Sequence, residues 1–229
     1  MELNKIYQGD CLEVMKSMPD KSVDLVITSP PYNLGSHHTG NDWHNPYKDD
    51  LPEVEYQEQQ LKVLNEITRI LKPNGSCFYN HKNRIREGFS IVPYEWILKS
   101  DLKLKQELVW FNGSQNFDKI RFYPMTERVY WLSKEKDTGF FNAINHHDFF
   151  EWPAVGVDGK HNRAFPEELV KNIINCFKTA EVIFDPYIGS GTVAKVAKEM
   201  NRNYLGCEIS PEYCKIAEER LKSVTKSMF

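Results

Sequence analysis

The sequence predicts an α/β fold, in which a doubly wound and mostly parallel sheet is covered by helices on both faces. Three observations support this prediction. Short apolar runs alternate with longer segments of helical periodicity. In the last third of the chain, a strand, a glycine-rich turn, a helix, a second strand and a capped helix follow one another. The length of 229 residues suits one compact domain of this class.

The N-terminal part of the chain begins the alternation of helices and strands. A short helix is predicted from about Cys11 to Met18, and an apolar strand from Val23 to Thr28. Ser29-Pro30-Pro31-Tyr32 ends this strand, because two consecutive prolines cannot continue a sheet ladder. Residues 33 to 52 are rich in Gly, His, Asn, Asp and Pro, which predicts a long functional loop. Apolar residues at helical spacing then predict a helix from about Val54 to Leu71.

The middle of the chain contains shorter predicted elements. Lys72-Pro73-Asn74-Gly75 is predicted to stop the preceding helix. A short buried strand from Ser76 to Tyr79 follows, and then a helix from about Ile91 to Lys99. Strands are predicted at Leu104–Phe111 and Arg128–Leu132. The remaining residues up to about position 160 lack clear periodicity and predict loops or small strands.

The last third of the chain has the clearest pattern. A helix, a strand, a tight turn, a second helix and a second strand are predicted in this order: Pro166–Phe177, Val182–Asp185, Ile188–Gly191, Thr192–Met200 and Tyr204–Glu208. Ser210 is predicted to cap the final helix, with Pro211 at its first position.

The composition indicates a cytoplasmic protein. The apolar fraction is 41% and the charged fraction is 27%, as in ordinary soluble domains. No apolar run approaches the roughly 20 residues that span a bilayer, and the N-terminus lacks a signal-peptide pattern. We therefore expect no membrane association. The net charge of −3 neither indicates nor excludes a nucleic-acid partner, because local patches of charge matter more than the sum.

A metal site is not predicted. The five cysteines form no C-x-x-C pair, which argues against both a zinc site and a disulfide framework and favours buried free thiols. His37, His38 and His44 lie in a loop at irregular spacing without other candidate ligands. We interpret them as solvated loop residues.

The segment from Phe184 to Thr192 predicts a ligand-binding turn between a strand and a helix. Its Gly-Ser-Gly-Thr-Val-Ala stretch fits the dinucleotide fingerprint, in which glycines let the backbone approach a ligand closely. Glu208 ends the next strand, seventeen positions after Gly191, where a carboxylate can accept hydrogen bonds from ribose hydroxyls. Asp185 stands just before the turn, which a nicotinamide fingerprint does not require but an amino-acid ammonium group does.

Ser29-Pro30-Pro31-Tyr32, at the end of an apolar strand, resembles the catalytic motif of the DNA amino-methyltransferases, which modify cytosine N4 or adenine N6. The turn after Phe184 resembles the F-x-G-x-G cofactor motif of the same family. The catalytic motif comes first and the cofactor motif last, as in the family's β class. This resemblance covers nearly the whole chain. It implies a Rossmann-like S-adenosylmethionine-dependent methyltransferase fold with circularly permuted motif order, in a single catalytic domain over residues 1–229.

The resemblance also implies roles for individual residues. The Ser29 hydroxyl and the Pro30 carbonyl would accept hydrogens from an exocyclic amino group, while the flat face of Tyr32 would stack on the flipped base. The expected catalytic residues are thus Ser29, Pro30, Pro31 and Tyr32. Asp10 and Cys11 resemble the segment that meets the cofactor's adenine, and Asn162 and Phe165 the helix start beside its methionine end. The expected residues for S-adenosylmethionine are Asp10, Cys11, Asn162, Phe165, Asp185, Pro186, Gly189, Gly191, Thr192, Glu208 and Ile209.

The expected substrate is DNA. In the family, serine at the first motif position is more often associated with cytosine N4, so we favour this base and keep adenine N6 as the alternative. Residues 112–160 are a candidate target-recognition insertion, and the loop at 33–52 is a second candidate for specificity. Arg121 to Lys134 is similar to a family block near the target pocket. Enzymes of this class often dimerise, which is the only basis for expecting a homodimer.

Other functions stay open at this point. An NAD-dependent oxidoreductase would explain the glycine-rich turn but not Ser29 to Tyr32. A DNA-binding module without activity and a methyltransferase for RNA or protein glutamine are further alternatives. A 5-methylcytosine enzyme is excluded, because the chain contains no Pro-Cys pair to supply the nucleophile. Lys82, Arg84 and Arg86 form a small basic cluster that would either contact DNA phosphates or be solvated.

Overall fold

A computed structural model of the chain describes residues 1–35, 49–113, 119–142, 145–152, 155–157, 161–164 and 166–224. In chain order, the elements are β1 (Lys5–Gln8), α1 (Cys11–Lys16), β2 (Val23–Thr28), α2 (Glu53–Ile70), β3 (Leu71–His81), β4 (Arg84–Arg86), β5 (Phe89–Ile91), α3 (Tyr94–Ile97), β6 (Lys103–Phe111), β7 (Thr126–Ser133), β8 (Phe149–Glu151), β9 (Val155–Val157), β10 (His161–Ala164), α4 (Glu167–Asn175), β11 (Val182–Asp185), α5 (Thr192–Glu199), β12 (Asn203–Glu208) and α6 (Pro211–Lys222).

The main sheet has the strand order β1-β12-β11-β2-β3-β7-β6-β8. Neighbouring strands are parallel from β1 through β3 and again between β6 and β8. The pairs on either side of β7 are antiparallel. The first strand pairs with the last, so that the two chain ends meet at one edge of the sheet. The predicted α/β fold with a mostly parallel sheet is confirmed.

Helices cover both faces of this sheet. Along β2, Leu25 and Ile27 belong to a core cluster with apolar residues of α4, α5 and α6. Val23 and Val26 belong to a second cluster with residues of α1, α2 and α3. Both clusters are buried, which explains why β2 is an almost continuous apolar run in the sequence. The sheet is therefore doubly wound, as predicted.

The two central strands β2 and β11 lie at the switch point of the topology. After β2 the chain runs through α2 to β3, on one side of the pair. After β11 it runs through α5 to β12, on the other side. Because α2 and α5 pack on opposite faces, a crevice opens beyond the carboxyl ends of the two strands. Ligands bind at such switch points in open α/β sheets.

Several elements differ from the sequence prediction. The predicted turn at 72–75 lies within β3, where the register with β2 shifts between Leu71 and Ser76 and absorbs it as a bulge. The helix predicted from Ile91 to Lys99 is shortened to α3, because β5 occupies its start and Pro93 precedes its first turn. The hairpin of β4 and β5 and the short strand β1 were not predicted.

The predicted cap of the last helix and the predicted free cysteines are confirmed. The Ser210 hydroxyl caps α6 by accepting from the Tyr213 N–H, and Pro211 is the first residue of the helix. All five cysteines are free and buried. Among the residues described, no helix is long and apolar enough to cross a membrane. Most of the predicted loop at 33–52, including His37, His38 and His44, lies outside the described ranges.

Candidate active site

The glycine-rich turn after β11 is held by the carboxylate of Glu208. The N–H of Gly189 donates to Glu208 Oε2 at 3.0 Å, and the N–H of Ser210 donates to Oε1 at 2.8 Å. Gly191 precedes α5 with φ +85°, a left-handed conformation that favours glycine. A Cβ at Gly191 would also lie 2.8 Å from the Cβ of Ala217 on α6. The glycine at this position therefore permits close packing of α5 against α6.

A cleft of about 580 Å³ opens beside this turn. Its wall includes the following residues, all at or near strand ends: Asp10, Cys11, Pro31, Pro186, Glu208 and Ile209. Six residues of the predicted site thus lie around one cavity, and its volume falls in the range of about 300–1,000 Å³ usual for small-molecule sites. Carboxylates at Asp10 and Glu208 beside the apolar Cys11 and Ile209 suit a nucleoside, which has hydroxyls on one part and a flat ring on the other. The donor set therefore fits the adenosine part of S-adenosylmethionine.

Asp185 lies behind the cleft wall at the end of β11. Its side chain is 3% exposed and accepts hydrogen bonds through Oδ1 from the Thr28 hydroxyl at 2.7 Å and the Tyr187 N–H at 3.0 Å. Burial raises the pKa of Asp185 to about 7, although these two hydrogen bonds oppose the shift and Glu208 adds to it. A cationic ligand nearby would favour the ionised carboxylate. The expected contact of Asp185 with an ammonium group stays a prediction.

Of the remaining predicted cofactor residues, three lie in or directly after the glycine-rich turn, and the side chains of the other two lie outside the described part of the structure. Gly189, Gly191 and Thr192 form the turn and the first residue of α5, directly after Pro186 in the cleft wall. The backbone of Asn162 belongs to β10, but its side chain is outside the described part of the structure. Phe165 also lies outside the described residues. Their roles at the methionine end therefore stay predictions.

The turn after β2, Ser29-Pro30-Pro31-Tyr32, is the predicted catalytic turn and contains a cluster of close oxygen atoms. The Ser29 Oγ lies 2.8 Å from the Tyr32 hydroxyl oxygen and 3.0 Å from Asn80 Oδ1. The Tyr32 hydroxyl lies 2.5 Å from Asn80 Oδ1 and 2.9 Å from Glu127 Oε2. Pro31, between the two hydroxyl residues, faces the cleft described above. The turn therefore joins an acceptor-rich cluster to the wall of the predicted cofactor site.

The environment of Tyr32 keeps its hydroxyl protonated. Burial raises the pKa of Tyr32 well above its ordinary value of 10.0, and the negative charge of Glu127 adds to the effect. The ring lies 4.7 Å from the His81 ring, centroid to centroid, and Lys82 Nζ lies 5.8 Å from its centroid. Burial also lowers the pKa of His81 to about 3, so this imidazole is neutral near pH 7. Stacking of a base on Tyr32 stays a prediction.

Three residues of this cluster were not predicted from the sequence. Asn80 lies near the end of β3, the strand next to β2, and its Nδ2 donates to the Arg128 carbonyl at 3.0 Å. Glu127 lies at the start of β7, and Asn112 donates to its Oε1 at 3.1 Å. The signal for Asn80 was a polar residue at the end of a buried strand, adjacent to the catalytic one. Glu127 stood inside the block at 121–134, without anything that singled it out.

The basic cluster after β3 is not a single surface. Arg84 is 3% exposed and forms a bidentate ion pair with Glu53, with hydrogen bonds of 2.7 and 2.6 Å. Its guanidinium also lies 4.6 Å from the Tyr56 ring centroid. Both interpretations made from the sequence, a phosphate contact and a solvated surface, are therefore wrong for Arg84. Arg86 is exposed and donates to the Asn33 carbonyl at 2.7 Å.

Comparison with known proteins places these features in one family. A family model described as DNA methylase, for the N6- and N4-methyltransferases, matches residues 23–219. The type II methyltransferase M.HinfI from Haemophilus influenzae is 30% identical over 97% of this chain and 69% of its own length. M.BglII from Bacillus subtilis is 28% identical over 96% of this chain and 69% of its own length.

Solved structures share the fold. The PvuII DNA methyltransferase, which is cytosine-N4-specific, has a TM-score of 0.80 and 22% identity, over 96% of this chain and 88% of its own. A DNA modification methylase from Thermus thermophilus, in complex with S-adenosylmethionine, has a TM-score of 0.69 and 22% identity. This match covers 95% of this chain and 92% of the Thermus thermophilus chain. The match over residues 23–219 includes both the predicted catalytic turn and the glycine-rich turn. The chain belongs to the N6/N4-methyltransferase family of DNA methylases.

Proposed function

We propose that this chain transfers the methyl group of S-adenosylmethionine to the exocyclic amino group of a flipped base in DNA, with cytosine N4 favoured. The observation that carries the proposal is the position of Pro31. This residue belongs to the catalytic turn and also lines the cleft with Asp10 and Glu208. An amino group held at Ser29 would therefore lie next to a ligand in the cleft. Positioning of this kind supplies much of the rate in two-substrate reactions.

We assign each part of the cofactor to residues in the cleft wall or directly behind it. Glu208 would accept from the ribose hydroxyls, and Asp185 would meet the ammonium end. Asp10 and Cys11 would lie beside the adenine. Pro186 to Gly191 would let the backbone approach the middle of the molecule. When bound, S-adenosylmethionine supplies an electrophilic methyl group.

The amino group is prepared by acceptors on the catalytic turn. A conjugated amino nitrogen is a poor nucleophile, because its lone pair is delocalised into the ring. The Ser29 oxygen and the Pro30 carbonyl would accept its two hydrogens and draw the lone pair out of conjugation. An amino nitrogen held in this way would be able to accept the methyl group that the bound cofactor supplies, and one of its protons would pass to water.

The choice of cytosine N4 over adenine N6 rests on two supports. Ser29 stands where many adenine-directed relatives of the β class have aspartate. The PvuII enzyme, whose fold is similar, is cytosine-N4-specific. Adenine N6 remains the alternative, because both bases present an amino group beside a ring acceptor.

Label transfer tests the proposed reaction. The chain is incubated with genomic DNA free of N4 and N6 methylation and with methyl-labelled S-adenosylmethionine. We expect label in the DNA, and its loss in Ser29→Ala with cofactor binding retained. An unlabelled product across diverse DNA substrates contradicts the proposal. Binding of NAD without binding of S-adenosylmethionine would instead support the oxidoreductase.

The expected homodimer stays a prediction that sedimentation equilibrium tests.

A further inference from the structure

The oxygen atoms clustered at the catalytic turn make more close contacts with one another than they have hydrogens to donate. Four oxygen–oxygen distances of 2.5 to 3.0 Å join Ser29, Tyr32, Asn80 and Glu127. A carboxylate and an amide oxygen only accept, so the two hydroxyls supply the only hydrogens. Asn80 cannot add one by turning its amide, since its Nδ2 already donates to the Arg128 carbonyl. The direction in which each hydroxyl donates therefore decides which oxygen keeps free lone pairs.

Glu127 fixes this direction. Hydrogen bonds to a charged acceptor are stronger than neutral ones, so the Tyr32 hydrogen is drawn to Glu127 Oε2. The Ser29 hydrogen must then point inward, to the Tyr32 oxygen or to Asn80 Oδ1. The outward side of the Ser29 oxygen is left with lone pairs, which an amino group needs. With the reverse direction, Tyr32 would donate to Ser29, and this hydrogen bond would occupy one of the two lone pairs of the Ser29 oxygen.

We propose that Glu127, oriented by Asn112, is a positioning residue that acts through the Tyr32 hydroxyl to keep Ser29 an acceptor for the target amino group. The inference rests on the proposed function, because it assigns a role within the same reaction. Asn112 is 8% exposed and donates to Glu127 Oε1, which leaves Oε2 to face Tyr32. The relay thus runs from Ser29 through Tyr32 to Glu127.

The relay makes Glu127→Gln a specific probe. Because Asn112 donates toward this side chain, the glutamine would turn its oxygen to Asn112 and its NH₂ to Tyr32. The NH₂ would then donate to the Tyr32 oxygen and reverse the relay. Losing a charge-assisted hydrogen bond corresponds to about a 10- to 150-fold change. We expect turnover to fall by that factor, with affinity for S-adenosylmethionine unchanged within about twofold.

Two further variants separate this role from a structural one. In the double variant Asn112→Asp with Glu127→Gln, the introduced aspartate would accept from the glutamine NH₂, and the glutamine oxygen would again face Tyr32. This exchange should restore most of the turnover. In a Tyr32→Phe background, Glu127→Gln should have little further effect, because the hydroxyl through which it acts is gone.

The matched control is Glu107→Gln. Glu107 lies on β6 and also accepts from a tyrosine hydroxyl, that of Tyr94 at 2.5 Å. Its other described partner is the Arg128 side chain, and no described contact joins Glu107 directly to Ser29, Tyr32 or Glu127. Its replacement should leave turnover unchanged. Normal turnover in Glu127→Gln overturns the inference, and so do additive effects with Tyr32→Phe or a failure of the exchange to restore activity. Absence of methyl transfer in the unaltered chain would instead remove the proposed function.

Discussion

Thr28 and Asp185, the last residues of the neighbouring strands β2 and β11, are joined by a hydrogen bond of 2.7 Å from the Thr28 hydroxyl to Asp185 Oδ1. The catalytic turn follows the first residue and the glycine-rich turn follows the second. The bond therefore ties together the two turns that the proposed reaction brings into contact. It lies at the switch point of the sheet, between chain segments 157 positions apart.

The first prediction concerns Asp185→Asn. Burial raises the pKa of Asp185 from 3.8 to about 7, so between these pH values the folded chain holds a proton that the unfolded chain has released. Stability contributed by this group is therefore lost as pH rises through that window. Asparagine keeps an oxygen for Thr28 and Tyr187 but carries no charge.

We expect Asp185→Asn to raise the free energy of unfolding at pH 8 by about 2–4 kcal/mol, since each pKa unit corresponds to about 1.4 kcal/mol. The gain should shrink toward zero at pH 4. Urea denaturation without cofactor at the two pH values measures it. An equal difference between variant and parent at both values would show that Asp185 is not the titrating group.

The second prediction is that Glu208→Gln weakens binding of S-adenosylmethionine. Each oxygen of the carboxylate accepts from one backbone N–H, those of Gly189 and Ser210. A glutamine has one oxygen, so the variant loses an acceptor for the turn and the charge expected to meet the ribose. We expect affinity to fall about 10- to 150-fold by calorimetry. Glu212→Gln, at an exposed position in the first turn of α6, is the control. Unchanged affinity in folded Glu208→Gln would remove Glu208 from the cofactor site.

The third prediction separates backbone strain from crowding at two glycines. Gly191 and Gly88 both have φ +85°, but a Cβ would lie 2.8 Å from the Ala217 Cβ at Gly191 and would have nothing within 4 Å at Gly88. Gly88→Ala should cost about 1–2 kcal/mol from the left-handed backbone alone. Gly191→Ala should cost about 1–3 kcal/mol more from overpacking against α6. Equal losses in urea denaturation would mean that α6 moves aside without cost.

Local patterns were enough to predict the central elements of the fold. β2 and β11 are buried apolar runs, and Ser210 and Pro211 gave the start of α6. β1 could not be predicted, because only Ile6 of its four residues is buried and its pairing with β12 is visible only in three dimensions. β3 includes residues 72–75, whose sequence is typical of a turn, because a bulge against β2 accommodates them within the strand.

The residues of the candidate site that belong to a single sequence motif could be predicted. Glu208 and Pro186 were assigned from the spacing of the glycine-rich turn, and both line the cleft. The contacts of Tyr32 with Asn80 and Glu127 depend on the pairing of β3 with β2 and β7. Asn80 carried a local signal as a polar residue at the end of a buried strand, but its contact with Tyr32 and that of Glu127 could not be predicted, because the pairing joins residues far apart in the chain.

The fourth prediction concerns contact with DNA. Phe122 is 100% exposed and lies between β6 and β7, whose ends Phe111 and Thr126 are paired next to Glu127, the residue that contacts Tyr32. Exposed apolar side chains insert between base pairs in many proteins that deform DNA. We expect Phe122→Ala to weaken DNA affinity by about 5- to 150-fold, with cofactor affinity unchanged. Leu98→Ala is the control. Leu98 is also apolar and exposed, but it lies shortly before the first residue of β6, at the other end of that strand, so its replacement should leave DNA affinity unchanged. Equal DNA affinity of both variants in a filter-binding titration would exclude this contact.

The fifth prediction is the position of the transferred methyl group. DNA is incubated with the chain and S-adenosylmethionine deuterated at the methyl group, digested to nucleosides and analysed by mass spectrometry. We expect deuterated N4-methyl-2′-deoxycytidine, with none in a parallel reaction of Ser29→Ala. N6-methyl-2′-deoxyadenosine would contradict the choice of base. DNA without a deuterated methyl group on any exocyclic amino nitrogen would contradict the central claim that this turn and this cleft perform amino-methylation.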